Sequence, residues 1–532
     1  MIKQVSLILI FFTSTISAEN LIPKIFSDNM VLQRNMEVPI WGWTKPGSKV
    51  SVNFAGQVKR VTAGKDGKWF LKLDKMTASK APKDMKIDAA GKVKIIKNIL
   101  IGEVWLCSGQ SNMQEHLANC SKPSIGKQYR SIPWAIKKEM NNASDPLLRQ
   151  IAIGRVCSPF KGAKDVTGKW IESQPKANAF FSGVGYFFAK ELRKKLDVPV
   201  GLVVAAWGAT RIQPWIPKNA FNTDPKMQEY YNLISGQKQK LQNNFDHSKV
   251  KKFEESLKKI TDPAKRKIFE KKRPKEPIMS KELPATIYNG MIHPIIPYAI
   301  KGTIWYQGES NRKHYADEYG KHFSAMIKSW RQNWGQGDFP FYFVQLASFR
   351  KPSSKPLEND TSATICNQQR LTLSVKNTGM AVANDIGEIE DIHPRNKIDV
   401  GKRLSLWALA KDYGFKEVVY SGPLYKSSKF TGQKVIVSFD HAGAGLMTGE
   451  KHLLKPTVEV KGKPLRGFQI CGADRKWKWA EAKIISKDSV EVFHPGIKKP
   501  IEVRYAWAEN PAESNLYNSE GLPTSVFSAV KQ

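Results

Sequence analysis

Acidic residues are scarce in this sequence. Its 532 residues hold 48 Asp and Glu against 84 Lys and Arg, a formal net charge of +36 at pH 7. Such an excess attracts polyanions through long-range fields that salt screens. The positive charge is spread along the chain, with no Arg–aromatic cluster and no nucleic-acid motif, so no nucleic-acid partner is expected. Cysteine is also sparse. Five cysteines are an odd number for a disulfide framework. Cys107 and Cys120 flank one short segment and are available to pair. Cys157, Cys366 and Cys471 are scattered, and small buried apolar residues are the alternative reading for most of the five. There is no Cys-x-x-Cys and no His-Glu-x-x-His, so no metal or other cofactor is expected. Past the N-terminus no stretch approaches about twenty uninterrupted apolar residues, so no transmembrane segment is expected. Gly-x-Ser-x-Gly is missing, which argues against the sharp nucleophile elbow of α/β-hydrolases. No internal repeat is present.

What is present begins with an address. Met1 to Ala18 has one basic residue, Lys3, an apolar run from Val5 to Phe12, and a small-residue end, Thr-Ser-Thr-Ile-Ser-Ala. That pattern predicts a signal peptide over 1–18 and a secreted or periplasmic protein. The rest is too long for one ordinary core, and 41% hydrophobic residues supply enough burial for two to four domains.

Residues 19–98 read as an N-terminal β-sandwich domain. They contain short runs such as Val38–Trp43, Lys49–Phe54 and Lys68–Leu73, with Asp66-Gly67 as a hairpin turn between two of them. Residues 99–418 alternate strand and helix patterns, the mark of an α/β three-layer domain with a parallel sheet. Within them, about 223–283 breaks the pattern. Residues 248–282 hold 13 Lys/Arg and 6 Asp/Glu around a thin apolar stripe, a basic helical insertion on the surface. From 419 to 532 β-type runs return, as a C-terminal β-rich domain.

Four apolar runs in the middle domain each end on polar residues. Ile101–Cys107 leads into Ser108-Gly-Gln-Ser-Asn-Met113. Gly201–Ala206 leads into Trp207-Gly-Ala-Thr-Arg211. Gly302–Tyr306 leads into Gln307-Gly-Glu-Ser-Asn311. Gly379–Asn384 leads to Asp391-Ile-His-Pro394. In open α/β sheets ligands bind outside the carboxyl ends of the strands, so four such endings make one candidate catalytic edge.

The motifs Gly-Gln-Ser-Asn-Met (109–113), Ala-x-Trp-Gly-x-Thr (205–210), Trp-Tyr-Gln-Gly-Glu-Ser-Asn (305–311) and Asp-Ile-His-Pro-Arg-Asn-Lys (391–397) occur in this order. Together they resemble the sialate O-acetylesterase family of the SGNH hydrolase superfamily, over nearly the whole chain after residue 20. The resemblance implies an SGNH-hydrolase fold flanked by β-rich regions, with Ser111 as nucleophile, His393 as general base and Asp391 as the acid orienting it. Glu390, Asp385 and Glu388 are the alternative acids, and a Ser–His dyad is a further one. It implies an oxyanion hole of the Ser111 and Gly208 N–H groups and the Gln307 side chain. Ala209 stands where relatives have a second glycine. Substrate contacts fall to Trp207, Arg211, Glu309 and Asn311, while Trp207, Trp215 and Trp305 are either sugar platforms or core.

The function implied is a secreted carbohydrate esterase hydrolysing O-acetyl esters of sialic acid or related sugars. The expected partners are an acetylated sugar or glycan and, from the charge, an anionic polysaccharide. An acetylxylan-type or other acetyl-polysaccharide esterase is the nearest rival. A glycosidase using Glu103 and Glu309, and a non-catalytic carbohydrate-binding protein, are readings of other classes.

Overall fold

The computed structural model describes residues 22–531. The signal sequence expected at 1–18 lies outside them. The organising element is one strand, β1 (Lys92–Gly109), of 18 residues. Its first part pairs antiparallel with Ser79–Ala89, and Leu100–Gly102 pairs parallel with Val31–Gln33. From Ile99 onward every residue of β1 is buried. That is what a strand covered on both faces requires of a parallel sheet. The boundary expected at 98/99 therefore falls inside a continuous strand shared by the N-terminal strands and the α/β core.

Six more strands complete the core sheet: β2 (Asp145–Ala152), β3 (Trp170–Ser173), β4 (Val200–Ala206), β5 (Gly302–Tyr306), β6 (Phe341–Gln345) and β7 (Thr378–Val382). Their order is β7-β6-β5-β1-β4-β2-β3. All neighbours run parallel except β3, which lies antiparallel on β2. The chain leaves β1 to build one side of the sheet and returns to build the other, so β1 is the switch point where α/β proteins place their ligands.

Among the helices are α1 (Ser111–Gln114), α2 (Gly183–Leu196), α3 (Pro225–Asn243), α4 (Ser248–Lys258), α5 (Pro263–Glu270), α6 (Tyr319–Trp334), α7 (Thr361–Leu371) and α8 (Lys397–Asp412). Ser182 caps α2 through the Gly185 N–H, and Arg193–Lys195 occupy its last turn, where cations suit the helix dipole. Asn396 caps α8. Helices α4 and α5 form the basic insertion, held together by Phe253 stacked on Phe269 at 4.8 Å between ring centroids. No residue of α5 is buried.

Among the N-terminal strands, Lys49–Phe54 turns at Ala55-Gly56 onto Gln57–Thr62, a strand not foreseen. Lys68–Leu73 pairs instead with Val38–Trp43. Asp66-Gly67 is thus a turn between strands that do not pair, because the intervening strand takes the partner. The C-terminal strands form small antiparallel sheets. They dock through buried polar contacts, among them Asn384 Nδ2 to the Thr524 carbonyl at 3.0 Å and the Val526 N–H to Gln345 Oε1 at 3.1 Å. All five cysteines are free thiols, so Cys107 and Cys120 do not pair. Burial pushes the Cys120 thiol up to about 12 and raises Cys107 further still. Among the described residues no helix is long and apolar enough to cross a membrane.

The end of β1 tolerates no side chain. Gly109 has φ +139°, and a Cβ there would lie 2.2 Å from the Tyr306 carbonyl oxygen. Gly109→Ala is therefore expected to cost at least about 3 kcal/mol. A urea midpoint unchanged from wild type would refute this account of the strand end.

Candidate active site

Parallel register brings three strand ends level. Gly109 pairs with Ala206 on one side and Tyr306 on the other. The residues just beyond each, Ser111, Gly208 and Gln307, thus meet at one edge. The turn carrying Ser111 is tied down from several directions. The Gln110 N–H donates to the Tyr306 carbonyl at 3.0 Å, the Gly183 N–H to the Glu115 carbonyl at 2.8 Å, and Ser182 Oγ to the Met113 carbonyl at 2.7 Å. The Ser111 N–H, at the start of a helical turn, meets no protein acceptor among the described residues.

Ser111 Oγ lies 2.9 Å from His393 Nε2. The other ring nitrogen, Nδ1, is 3.4 Å from Asp391 Oδ1, which also accepts the His393 backbone N–H at 2.8 Å. Arg395 holds the second Asp391 oxygen at 3.0 Å and donates to the His393 carbonyl at 2.7 Å. Serine, imidazole and carboxylate thus stand in line. The other carboxylates are engaged elsewhere. Asp385 forms a buried two-point pair with Arg403, at 2.6 and 2.8 Å. Glu388 accepts from Ser124 Oγ and from the Arg395 N–H, and Glu390 is exposed.

Sequence reasoning missed a staple beneath this line. Lys397 is wholly buried, and its Nζ donates to Asn112 Oδ1 and to the Pro394 carbonyl at 2.8 Å. Asn112 Nδ2 donates to Glu309 Oε1 and to the Ile392 carbonyl at 3.1 Å. One carboxamide thereby joins the serine turn to the histidine loop. The readable signal was Lys397 four residues after His393, within the same motif.

The Gln307 side chain is not free to donate to a ligand. Its carboxamide is wholly buried: Nε2 faces Gln110 Oε1, the Thr210 carbonyl and Asn311 Oδ1 at 3.2, 3.1 and 2.9 Å, while Oε1 accepts from Tyr319. Asn311, expected at the substrate, is likewise buried, accepting the Ile212 N–H and donating to Gln213. Trp215 and Trp305 are core, packed edge to face at 5.7 Å. Trp207 is half-buried and anchored by its N–H on the Gly109 carbonyl. Ala209 adopts a left-handed φ of 54°, a conformation in which glycine is unstrained. Lys281, at the end of the basic insertion, donates to the Gly208 carbonyl at 2.9 Å.

A cleft of about 490 Å³ opens beside this edge. Ala209, Ile392 and Glu309 bring it against the serine, histidine and glycine loops, and Arg211, Arg312, Lys313 and Arg350 line it with Glu282, Asp360 and Glu509. Glu309 and Arg312 are each only 9% exposed, yet Glu309 Oε2 and Arg312 Nε lack hydrogen-bond partners. Both atoms are shut off from solvent, and buried polar atoms without partners are costly. Partial burial, then the nearby Arg211 guanidinium, lowers the pKa of His314 on the cleft rim. Glu103 is not at this edge. It pairs with Arg34 and Gln33 six residues before Gly109, about 20 Å away along the strand, so it cannot oppose Glu309 as a glycosidase requires. Among the described residues no group of three or more His, Cys, Asp or Glu could hold a metal ion.

The family described as "Carbohydrate esterase, sialic acid-specific acetylesterase" matches residues 101–251 and 279–408. The gap falls on α4, α5 and the segment after them. The chain is 27% identical to the sialate O-acetylesterases of Rattus norvegicus and Homo sapiens. These matches cover 95% and 94% of this chain and 93% and 91% of those proteins. A crystal structure described as a novel carbohydrate acetylesterase, from Xanthomonas citri, superposes with a TM-score of 0.76 at 33% identity, covering 96% of this chain and 99% of that one.

Asp385 and Asp391 separate by role. Asp385→Asn should lose about 3–5 kcal/mol of stability, because it strands the buried Arg403 guanidinium. Denaturant melts that match wild type would show that this pair does not brace the loop.

Proposed function

The chain belongs to the sialic acid-specific acetylesterase family of carbohydrate esterases and is a carboxylic-ester hydrolase; from that premise we propose that it removes O-acetyl groups from sialic acid or a related sugar through a serine acyl-enzyme. The observation carrying this reading is the Ser111 Oγ to His393 Nε2 hydrogen bond of 2.9 Å at the carboxyl edge of the sheet, with Asp391 against the other ring nitrogen. The same sheet-edge arrangement supports an SGNH-type catalytic core.

In the first half-reaction Ser111 Oγ attacks the acetyl carbonyl carbon and its proton passes to His393 Nε2. Asp391 stabilises the imidazolium and keeps the ring oriented. The negative charge collects on the carbonyl oxygen, which the Ser111 and Gly208 N–H groups receive. His393 then returns the proton to the sugar oxygen as the ester C–O bond breaks. Water, deprotonated by His393, attacks the acetyl-serine, and acetate and free Ser111 result.

The sugar occupies the cleft lined by Arg211, Glu309 and Arg312. Gln307 and Asn311 act as scaffold and do not touch substrate. The signal pattern at 1–18 supports a secreted or periplasmic enzyme. An acetyl-polysaccharide esterase remains the second reading, and one observation favours it: the four cations lining the cleft face four carboxylates, so the cleft itself carries no excess positive charge for an acidic sugar.

Ser111→Ala should lower turnover of an aryl acetate by several orders of magnitude with the fold intact. A variant keeping a tenth of the activity, a loss of only about 1.4 kcal/mol, would sink the serine assignment. Asp391→Asn should reduce kcat strongly, but less than His393→Ala, and leave the melting temperature in place. The reverse ranking would reassign the acid. For substrate choice, kcat/KM on an anionic and a neutral acetylated glycan of similar size should be compared as salt rises. A steeper fall for the anionic glycan marks it as the steered substrate, because salt shortens the Debye length from about 8 Å near physiological strength to about 3 Å at 1 M. Equal responses select the neutral polymer.

A further inference from the structure

Gln114 occupies space that the proposed mechanism needs empty. The Gly208 N–H donates to Gln114 Oε1 at 2.6 Å. A Cβ placed on Gly208 would lie 3.3 Å from that oxygen and 3.4 Å from Ser111 Cβ, so amide, carboxamide oxygen and nucleophile share one small volume. Gln114 is the last residue of α1, three positions after Ser111, and residues at that spacing share a helix face. Its side chain is half-exposed, and its Nε2 has no protein partner among the described residues. It is therefore held at one end only. By contrast, Gln307 is locked on four hydrogen bonds and cannot enter the site.

We propose that the Gln114 carboxamide oxygen is a stand-in for the oxyanion: it takes the Gly208 N–H in the free enzyme and yields it when the acetyl carbonyl arrives. This rests on the reading of Ser111 as nucleophile and Gly208 N–H as oxyanion donor. A carbonyl-type oxygen matches the acyl oxygen in kind, so the same amide serves both in turn. The displaced carboxamide turns to solvent and exchanges its hydrogen bond for water, so the exchange costs the net worth of one neutral hydrogen bond. Because the competition exists only in the free enzyme, it weighs on substrate affinity and leaves the chemical step alone. Gln114 is thus a determinant of KM.

The test uses two variants, two kinetic constants and one probe, methylboronic acid, whose methyl group matches acetyl and whose tetrahedral adduct with a serine directs a B–O oxygen at the oxyanion donors. Gln114→Ala removes the competitor. It should lower KM for an aryl acetate and tighten boronate inhibition by about three- to tenfold, the worth of one neutral hydrogen bond, with kcat little changed. Gln114→Glu puts a charged acceptor on the same N–H, a bond roughly twice as strong, and sets a negative charge beside the boronate. It should weaken boronate binding and raise KM.

Opposite shifts from the two variants are the expected result, since a residue that merely braces α1 would move both in one direction. Gln114→Ser, too short to reach Gly208, should reproduce the alanine result and guards against a folding defect peculiar to alanine. The proposal is overturned if both variants weaken the boronate, if neither moves it, or if Gln114→Ala lowers kcat with KM unchanged, the signature of a donor to the oxyanion. Boronate inhibition that survives Ser111→Ala overturns the serine reading together with this proposal. Inhibition that needs Ser111 but ignores Gln114 overturns this proposal alone.

Discussion

The rest of the site depends on the register of β1 against its two parallel neighbours. Gly109 stands opposite both Ala206 and Tyr306, and the chain turns immediately beyond each. A slip of one residue would displace a loop by about 3.3 Å and turn its side chains to the other face. That would separate Ser111 from Gly208 by more than a hydrogen bond can bridge. The register is secured by burial, because every residue of β1 from Ile99 to Gly109 is buried and any shift would expose part of it. Gly109 then lets the strand pass close under the Tyr306 carbonyl. Packing energy spread over the sheet is in this way converted into positional accuracy at one serine.

Much of this was legible in the amino-acid sequence because it is written in hydrophobic runs. Gly302–Tyr306 was read as a strand with the bounds it has. A wholly apolar run of five to seven residues bounded by glycine has few other fates. The hairpin at Asp66-Gly67 was misread for a related reason. Gln57–Thr62 alternates partly buried and exposed residues and carries two cations, so no apolar run announced it as a strand. Its edge position, open to water, is what permits that composition.

The polar half of the site was harder to read. Ser111, His393 and Asp391 could be placed in line because each follows or closes a loop at one sheet edge. The directions of Gln307 and Asn311 could not, because a carboxamide turns about its terminal bonds and its aim is set by neighbours distant in sequence. Gln307 is claimed by Gln110, Thr210, Asn311 and Tyr319, contributed by four different segments. Asn112 shows the same physics with the opposite result. Its two ends meet Lys397 and Glu309, and a residue next to Ser111 becomes the tie between the serine turn and the histidine loop.

Charge divides between two scales. The chain as a whole carries +36, yet the cleft beside Ser111 sets Arg211, Arg312, Lys313 and Arg350 against Glu282, Glu309, Asp360 and Glu509. Several of these groups neutralise one another directly: Arg312 and Arg350 both reach Glu509, which the C-terminal region supplies to the cleft. The cationic excess therefore lies outside the cleft, and the basic insertion, with 13 Lys/Arg against 6 Asp/Glu over residues 248–282, is one reservoir of it. A field of that kind acts before contact, by gathering a polyanionic surface or polymer within a Debye length. Inside the cleft Arg312 and Arg350 are spent on Glu509, and four cations stand against four carboxylates, so no excess charge is left there. The long-range field and the local charge of the cleft are thus set by different residues.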